Sequence, residues 1–179
     1  RTEAAKWFRK AADHGDLVAI SKMGDVYYYG HGVEQDYIKA AMWHRKAAER
    51  GHADSQCALG KMYIEGKGLP KDVNQARYWL KKSAGQNNAR AQMQLGLLYW
   101  DDDSIPDYRK IAFGWFKKAA RQGDSGGQQA VGLFYENGWG VEKDIGQAVY
   151  WYRKAAAQGD ESAKKALARI GPVSEQKSV

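Results

Sequence analysis

GLFYENGWGVEKDIGQAVYWYRKAAAQG, residues 132–159, carries the architecture of this chain, because its landmarks recur upstream at one fixed step. Trp151 is preceded by Trp115, Trp79, Trp43 and Trp7, each 36 residues earlier. Tyr135 is matched by Tyr99, Tyr63 and Tyr27, Gly132 by Gly96, Gly60 and Gly24, and Ala148 by Ala112, Ala76 and Ala40. A lysine and two small residues follow each tryptophan, from Lys10-Ala11-Ala12 through Lys82-Ser83-Ala84 to Lys154-Ala155-Ala156. Several residue types held in one register without an insertion are the mark of a repeat architecture.

Each unit reads as two helices. Ala19, Met23, Val26 and Tyr27 stand at helical spacing and form an apolar stripe on the first. Gly24 lies inside that helix, where it costs about 1 kcal/mol relative to alanine. A glycine recurring at this site implies a neighbouring helix too close for a side chain. The helix ends at Gly30-His31-Gly32, since glycine takes the left-handed conformation that closes a helix. Asp36, Asp72 and Asp144 are placed to cap the second helix, whose buried face is Ala40, Trp43, Ala47 and Ala48. That helix stops at Gly51, with Gly15, Gly123 and Gly159 in sister units, and Asp16, Asn88, Asp124 and Asp160 cap the next first helix.

The expected fold is all-α, a right-handed α/α solenoid of 36-residue helix-turn-helix repeats. A single array over 1–170 is expected, with a partial repeat at 1–15 and full repeats at 16–51, 52–87, 88–123 and 124–159. Residues 160–170 form a terminal capping helix, with Ala163 and Leu167 at first-helix positions, and 171–179 a polar tail expected to be disordered. The C-terminal end reads as capped and the N-terminal end as truncated. Because the chain starts at Arg1 within a helical pattern, its start does not choose between cytoplasm, periplasm and secretion.

Composition narrows the function classes. Aromatic residues make up 12% of the 179, which is not the composition of a disordered chain. No apolar run approaches the roughly 20 residues that span a bilayer. Cys57 is the only cysteine, so an intrachain disulfide framework and a multi-cysteine zinc site are both impossible. The formal charge of +7 raises nucleic acid and anionic surfaces as partners.

The pattern A-x3-L-G-x2-Y-x2-G-x-G-V-x2-D-x3-A-x2-W-x3-A-A-x2-G resembles the Sel-one-like repeat, a relative of the tetratricopeptide repeat. It is clearest from Gly132 to Gly159 and covers the chain up to about residue 170. The third unit departs from it, with Asp102-Asp103-Ser104-Ile105 in place of Gly-x-Gly-Val, Tyr108 in place of the capping aspartate and Asp107 one residue early. The resemblance implies an adaptor that holds other proteins together. A cysteine-rich branch linked to penicillin or peptidoglycan binding is a poor match to a single cysteine.

Catalytic signals are weak. His14, His31, His44 and His52 show no zinc-hydrolase spacing and read as surface residues. The triplets Gly30–Gly32, Gly66–Gly68 and Gly138–Gly140 follow helices and lack a third glycine, so they read as turns and not as nucleotide cradles. Ser162–Lys165 and Ser174–Lys177 match the Ser-x-x-Lys nucleophile motif without its partner motifs. Asp101, Asp102, Asp103 and Asp107 could attract a hard cation, but their spacing fits no calcium loop and they read as a solvated loop. No metal and no cofactor are expected. The paired cations Arg9-Lys10, Arg45-Lys46, Lys81-Lys82, Lys117-Lys118 and Arg153-Lys154 suit the ends of the second helices. No aromatic is expected to interleave with them on the same face, which argues against base stacking.

The informative positions vary while the frame is fixed. On the first helices they read Ser21-Asp25-Tyr28, Cys57-Lys61-Ile64, Met93-Leu97-Trp100 and Gln129-Leu133-Glu136, each trio on one helical face. In relatives of this architecture the first helices line the concave side. The expected site is this concave face, with Tyr28, Lys61, Ile64, Met93, Leu97, Trp100, Leu133 and Glu136 binding a peptide or helix of another protein. For Leu97 and Leu133 the alternative is a place in the core between units. The loop at Asp101, Asp102, Asp103 and Asp107 borders it. The alternatives are a nucleic-acid or anionic-surface binder using the basic stripe, and a peptidoglycan- or cation-binding envelope protein using Trp100 and the acidic loop. Expected is a non-catalytic monomer, with nucleic acid an unfavoured partner.

Overall fold

The computed structural model describes residues 2–171; the expected disordered tail and the Ser174–Lys177 motif lie outside them, apart from Gly171. The described residues form ten helices and no strand. The chain divides into two compact units, residues 1–91 and 92–179, and the division falls within one helix.

Unit 1 contains α1 (Thr2–Asp13), α2 (Leu17–Tyr29), α3 (Tyr37–Glu49), α4 (Ala53–Glu65), α5 (Val73–Gly85) and the first residues of α6 (Ala89–Trp100). Within a repeat α2 packs on α3 and α4 on α5, and between repeats α1 packs on α2 and α3 on α4. The caps are where local chemistry puts them. Asp16, Asp36 and Asp72 accept the backbone N–H of Ala19, Lys39 and Gln75 at 2.7–2.9 Å, satisfying donors that the first helical turn leaves orphaned. Asn88 does the same for Ala91. His52 supplies the cap of α4 through Nδ1, 3.2 Å from the Ser55 N–H, a role the sequence reading did not give it.

Unit 2 contains the rest of α6, then α7 (Tyr108–Arg121), α8 (Ser125–Asn137), α9 (Ile145–Ala157) and α10 (Glu161–Ile170). α7 packs on α8, α8 on α9 and α9 on α10. Ala163 is fully buried against Ala148, Tyr152 and Ala155, and Leu167 packs on that cluster.

Close approach explains the recurring helix glycine. A Cβ on Gly24 would stand 2.5 Å from the His44 ring, and on Gly60, Gly96 and Gly132 it would meet Leu80, Phe116 and Tyr152 at 2.4–2.7 Å. The residue after each tryptophan therefore fills the space over each glycine. Leu80 and Tyr152 are fully buried, whereas Trp43 and Trp115 are only half-buried. The buried face of the second helix thus includes a position that the sequence reading passed over. His44 belongs to it, and its expected surface role is corrected: it is 2% exposed.

The turns do more than turn. Gly68 has φ +70°, and a Cβ there would lie 2.1 Å from the Tyr37 carbonyl oxygen of the preceding repeat. Gly140 stands in the same relation to Arg109 and Lys110. Each corner seats directly on the start of an earlier second helix, so both conformation and space demand glycine.

A polar relay also links repeats. Gln86 Nε2 donates to the Gly51 carbonyl at 3.0 Å and to Gln56 Oε1 at 2.8 Å in unit 1. Gln158 repeats this with Gly123 and Gln128 in unit 2. Gln56 and Gln128 in turn donate to the last-turn carbonyls of Ala48 and Ala120, which the helix ends leave open.

Candidate protein-binding surfaces

In unit 1 the variable first-helix positions are partly committed to the scaffold. Ser21 is buried and accepts the Ser55 hydroxyl at 2.9 Å. Tyr28 donates its hydroxyl to Glu65 at 3.0 Å and accepts from Lys67 at 3.3 Å, while Lys67 and Lys61 lie 2.9 and 3.5 Å from the Glu65 carboxylate. This network joins the ends of α2 and α4. Burial, then the Glu65 carboxylate, raises the Tyr28 pKa. Desolvation opposes ionisation of Glu65, but the bonds from Lys67 and Tyr28 outweigh it and hold the carboxyl below its ordinary range. Ile64 is half-buried beside it. A cleft of about 530 Å³ opens on this unit, with Phe8 and Val26 as apolar lining and Lys22, Asp25, Tyr29 and Arg90 as polar lining.

Below Asp25 lies a buried polar cluster. His44 Nε2 is 3.8 Å from Asp25 Oδ1, and His44 Nδ1 is 3.5 Å from Ser55 Oγ. The order Ser55–His44–Asp25 imitates a hydrolase triad, but Ser55 is fully buried and offers its oxygen to no incoming carbonyl. Burial pushes the His44 pKa down to about 4 against the pull of Asp25. Burial likewise pushes the Cys57 thiol up to about 11, which keeps it protonated and a poor nucleophile.

In unit 2, Met93, Leu97 and Trp100 share α6. Leu97 is 38% exposed, a large apolar side chain left in solvent. Trp100 has an internal explanation that the sequence did not reveal: its ring lies 4.8 Å from Trp139, 5.1 Å from Phe134 and 6.1 Å from Tyr108, centroid to centroid. Trp139, inside the Gly138–Gly140 corner, was not among the candidate residues. Leu133 packs on the Tyr152–Ala163 cluster. Glu136 accepts the Tyr152 hydroxyl at 2.7 Å and pairs with Arg169. Burial, then Glu136, raises the Tyr152 pKa. Structure therefore brings Met93, Leu97 and Trp100 to one helix and ties Leu133 and Glu136 into the α9–α10 packing.

The loop after Trp100 is a run of turns. Asp102 accepts the Ser104 hydroxyl at 2.5 Å, and Asp107, at φ +56°, precedes α7 without a side-chain capping bond. Asp101, Asp103 and Asp107 are exposed. Among the described residues no three carboxylate, imidazole or thiol groups converge as metal ligands. Ser162 and Lys165 are both exposed on α10.

The basic stripe differs from expectation. Aromatic rings do lie beneath it: Lys46 sits 5.3 Å from the Trp43 centroid, Lys82 4.8 Å from Tyr78, Lys118 4.1 Å from Trp115 and Lys154 4.8 Å from Tyr150. Positions three and four apart on a helix share a face, so this was legible in the spacing. Arg45 Nη2 also donates to the Tyr63 hydroxyl at 2.8 Å.

Stacked helix pairs repeating at a fixed step define the class of helical-repeat interaction scaffolds. The chain belongs to the Sel1 repeat family: the Sel1 repeat profile matches residues 1–16, 17–52, 53–88, 89–124 and 125–160. It is similar to a Sel1 repeat protein from Oxalobacter formigenes, 34% identical with a TM-score of 0.85, over 95% of this chain and 49% of that one. It is also similar to a protective antigen of uropathogenic Escherichia coli with the same repeat fold, 36% identical with a TM-score of 0.87, over 94% of this chain and 36% of that one. A Schizosaccharomyces pombe protein described as an uncharacterized Sel1-like repeat-containing protein is 51% identical over 37 residues, 21% of this chain and 6% of its own length. The chain thus spans about half or less of the length of these relatives. The Sel1 solenoid is a protein-interaction scaffold fold and generally a non-catalytic one. No helix among the described residues is long and apolar enough to cross a membrane.

Proposed function

We propose that this chain is an adaptor that holds a peptide or helix of another protein on the inner faces of its first helices, residues 1–170 serving as one array. Exposure of Leu97 carries the reading. A leucine left 38% open on a helix whose neighbours Leu95 and Tyr99 are buried keeps apolar surface available to a partner. Such side chains become the anchors of an interface once a partner removes them from water. Met93 and the outer edge of Trp100 extend that anchor along α6, while Tyr28, Lys61 and Ile64 offer a more polar surface in unit 1. Leu133 and Glu136 are secondary, because their contacts to α9 and α10 are already made. The exposed carboxylates of Asp101 and Asp103, with Asp102, attract a basic flank of the partner.

The test uses a partner captured on the purified chain and identified by mass spectrometry. Converting Asp101, Asp102 and Asp103 together to Asn is expected to slow association severalfold, as loss of electrostatic steering does. Leu97→Asp is expected to speed dissociation about tenfold or more. Trp100→Ala should also speed dissociation, but Leu97 is the cleaner probe because Trp100 supports Phe134 and Trp139. If both the asparagine variant and Leu97→Asp bind like the parent, α6 is not the site.

A further inference from the structure

We propose that a second cleft in unit 1, between α1 and α3, docks an acidic peptide segment of another protein that carries a bulky apolar side chain. The cleft has a volume of about 400 Å³ and is lined by Arg9, Tyr27, Lys39, Met42, Trp43 and Lys46. Five of its six lining residues lie on α1 and α3 and one, Tyr27, on α2; none is among the variable first-helix positions treated above.

Charge decides the occupant. Three of the six lining residues are cations and none is an acid. Asp36 compensates only Lys39, at 2.9 Å. Arg9 and Lys46 are instead held over the Trp43 ring, at 5.5 and 5.3 Å from its centroid. Cations held by a ring face keep most of their charge for a ligand, because a ring quadrupole neutralises nothing. The equivalent cleft one repeat later is a built-in contrast. It is lined by Arg45, Tyr63, Gln75 and Trp79 at matching positions, but its lining also holds two acids, Glu49 and Asp72, against the two cations Arg45 and Lys71, and the Arg45 guanidinium donates to the Tyr63 hydroxyl. Of these two sets of lining residues, the first is net positive and the second is neutral.

Apolar surface decides the rest. Met42 is 67% exposed at the cleft and Ile38, one helical turn away, is 66% exposed. An unbranched, polarisable methionine at a rim adapts to a partner side chain, and the volume is that of a pocket for one or two such groups. Nucleic acid fits less well. Base stacking needs a free ring face, and here Arg9 and Lys46 already occupy the Trp43 ring. The cations are the presented groups, so the cleft reads carboxylates flanking an apolar anchor.

The probe is a short fluorescein-labelled peptide of alternating glutamate with a central phenylalanine, titrated with the full chain by anisotropy. Lys46→Glu is expected to weaken binding about tenfold or more, and Met42→Ala several-fold. Lys82→Glu, the same charge change at the equivalent position one repeat later and outside both clefts, should leave binding within about twofold. Lys46 and Met42 are exposed, so each variant should keep the parent's melting temperature, which is measured alongside. A peptide with lysine in place of glutamate should not bind. Equal losses for Lys46→Glu and Lys82→Glu would overturn the proposal, as would no binding by the acidic peptide. Tighter binding of oligothymidylate that is lost in Lys46→Glu would also overturn it, in favour of a nucleic-acid site.

Discussion

Gly96→Val is expected to lower the free energy of unfolding by about 3 kcal/mol, near the upper end of what overpacking costs. A Cβ at this position would stand 2.4 Å from Phe116 Cε1, and the Phe116 ring is itself 2% exposed with Phe134 against it at 5.4 Å. Neither helix can move apart without uncovering that ring, so the strain has no cheap outlet. Valine also gains back only part of the helix-propensity deficit of glycine. Gly114→Ala is the control. Gly114 lies within α7 with open space where its Cβ would be, and the variant should gain up to about 1 kcal/mol. Urea denaturation followed by circular dichroism reads both. A Gly96→Val chain with the parent's midpoint would mean that the helix glycines are not contact sites.

His44 gives the second large effect. Its folded pKa is about 4 against an ordinary 6.5, because the ring is buried over Gly24. Between those values the unfolded chain binds a proton that the folded chain refuses, so stability falls as pH is lowered from about 6.5 to about 4. Above 6.5 both states are neutral and the contribution is constant. The whole window is worth about 3 kcal/mol, at roughly 1.4 kcal/mol per pKa unit. His44→Leu places the residue that the next repeat uses over Gly60, and it removes the titrating group. Ser55 keeps its bonds with Ser21 and His52. The difference in unfolding free energy between parent and variant should therefore widen by about 3 kcal/mol from pH 7 to pH 4, the variant being favoured in acid. A difference that is flat with pH would show that His44 is not the group that titrates.

Much of the fold was legible because its signals are local. A capping aspartate acts within three residues, and Asp36, Asp72 and Asp144 make the bonds that their spacing implies. The helix glycines were legible by recurrence, since the contact they permit accepts no other residue. Their partners were not. His44, Leu80, Phe116 and Tyr152 share one position but not one chemistry, so identity carries no signal and only the space over the glycine relates them. The surface residues were the hardest to place. Whether Leu133 faces a ligand or a neighbour depends on α10, which folds over it, and whether Trp100 is free depends on Trp139, 39 positions away in the chain. The lysines over tryptophan rings follow from spacing alone, since Lys46 and Lys118 stand three residues after Trp43 and Trp115 on the same helical face.

The most direct test of a protein-binding inner face is the salt dependence of affinity for the captured partner. An interface anchored by Leu97 and Met93 should lose less than about tenfold in affinity between about 50 and 200 mM salt, with the loss confined to the association rate. A phosphate-reading surface of several cations would lose about a thousandfold over the same range. A loss of that size, abolished by reversing Lys46 and Lys82 and untouched by Leu97→Asp, would move the function from the first helices to the basic stripe.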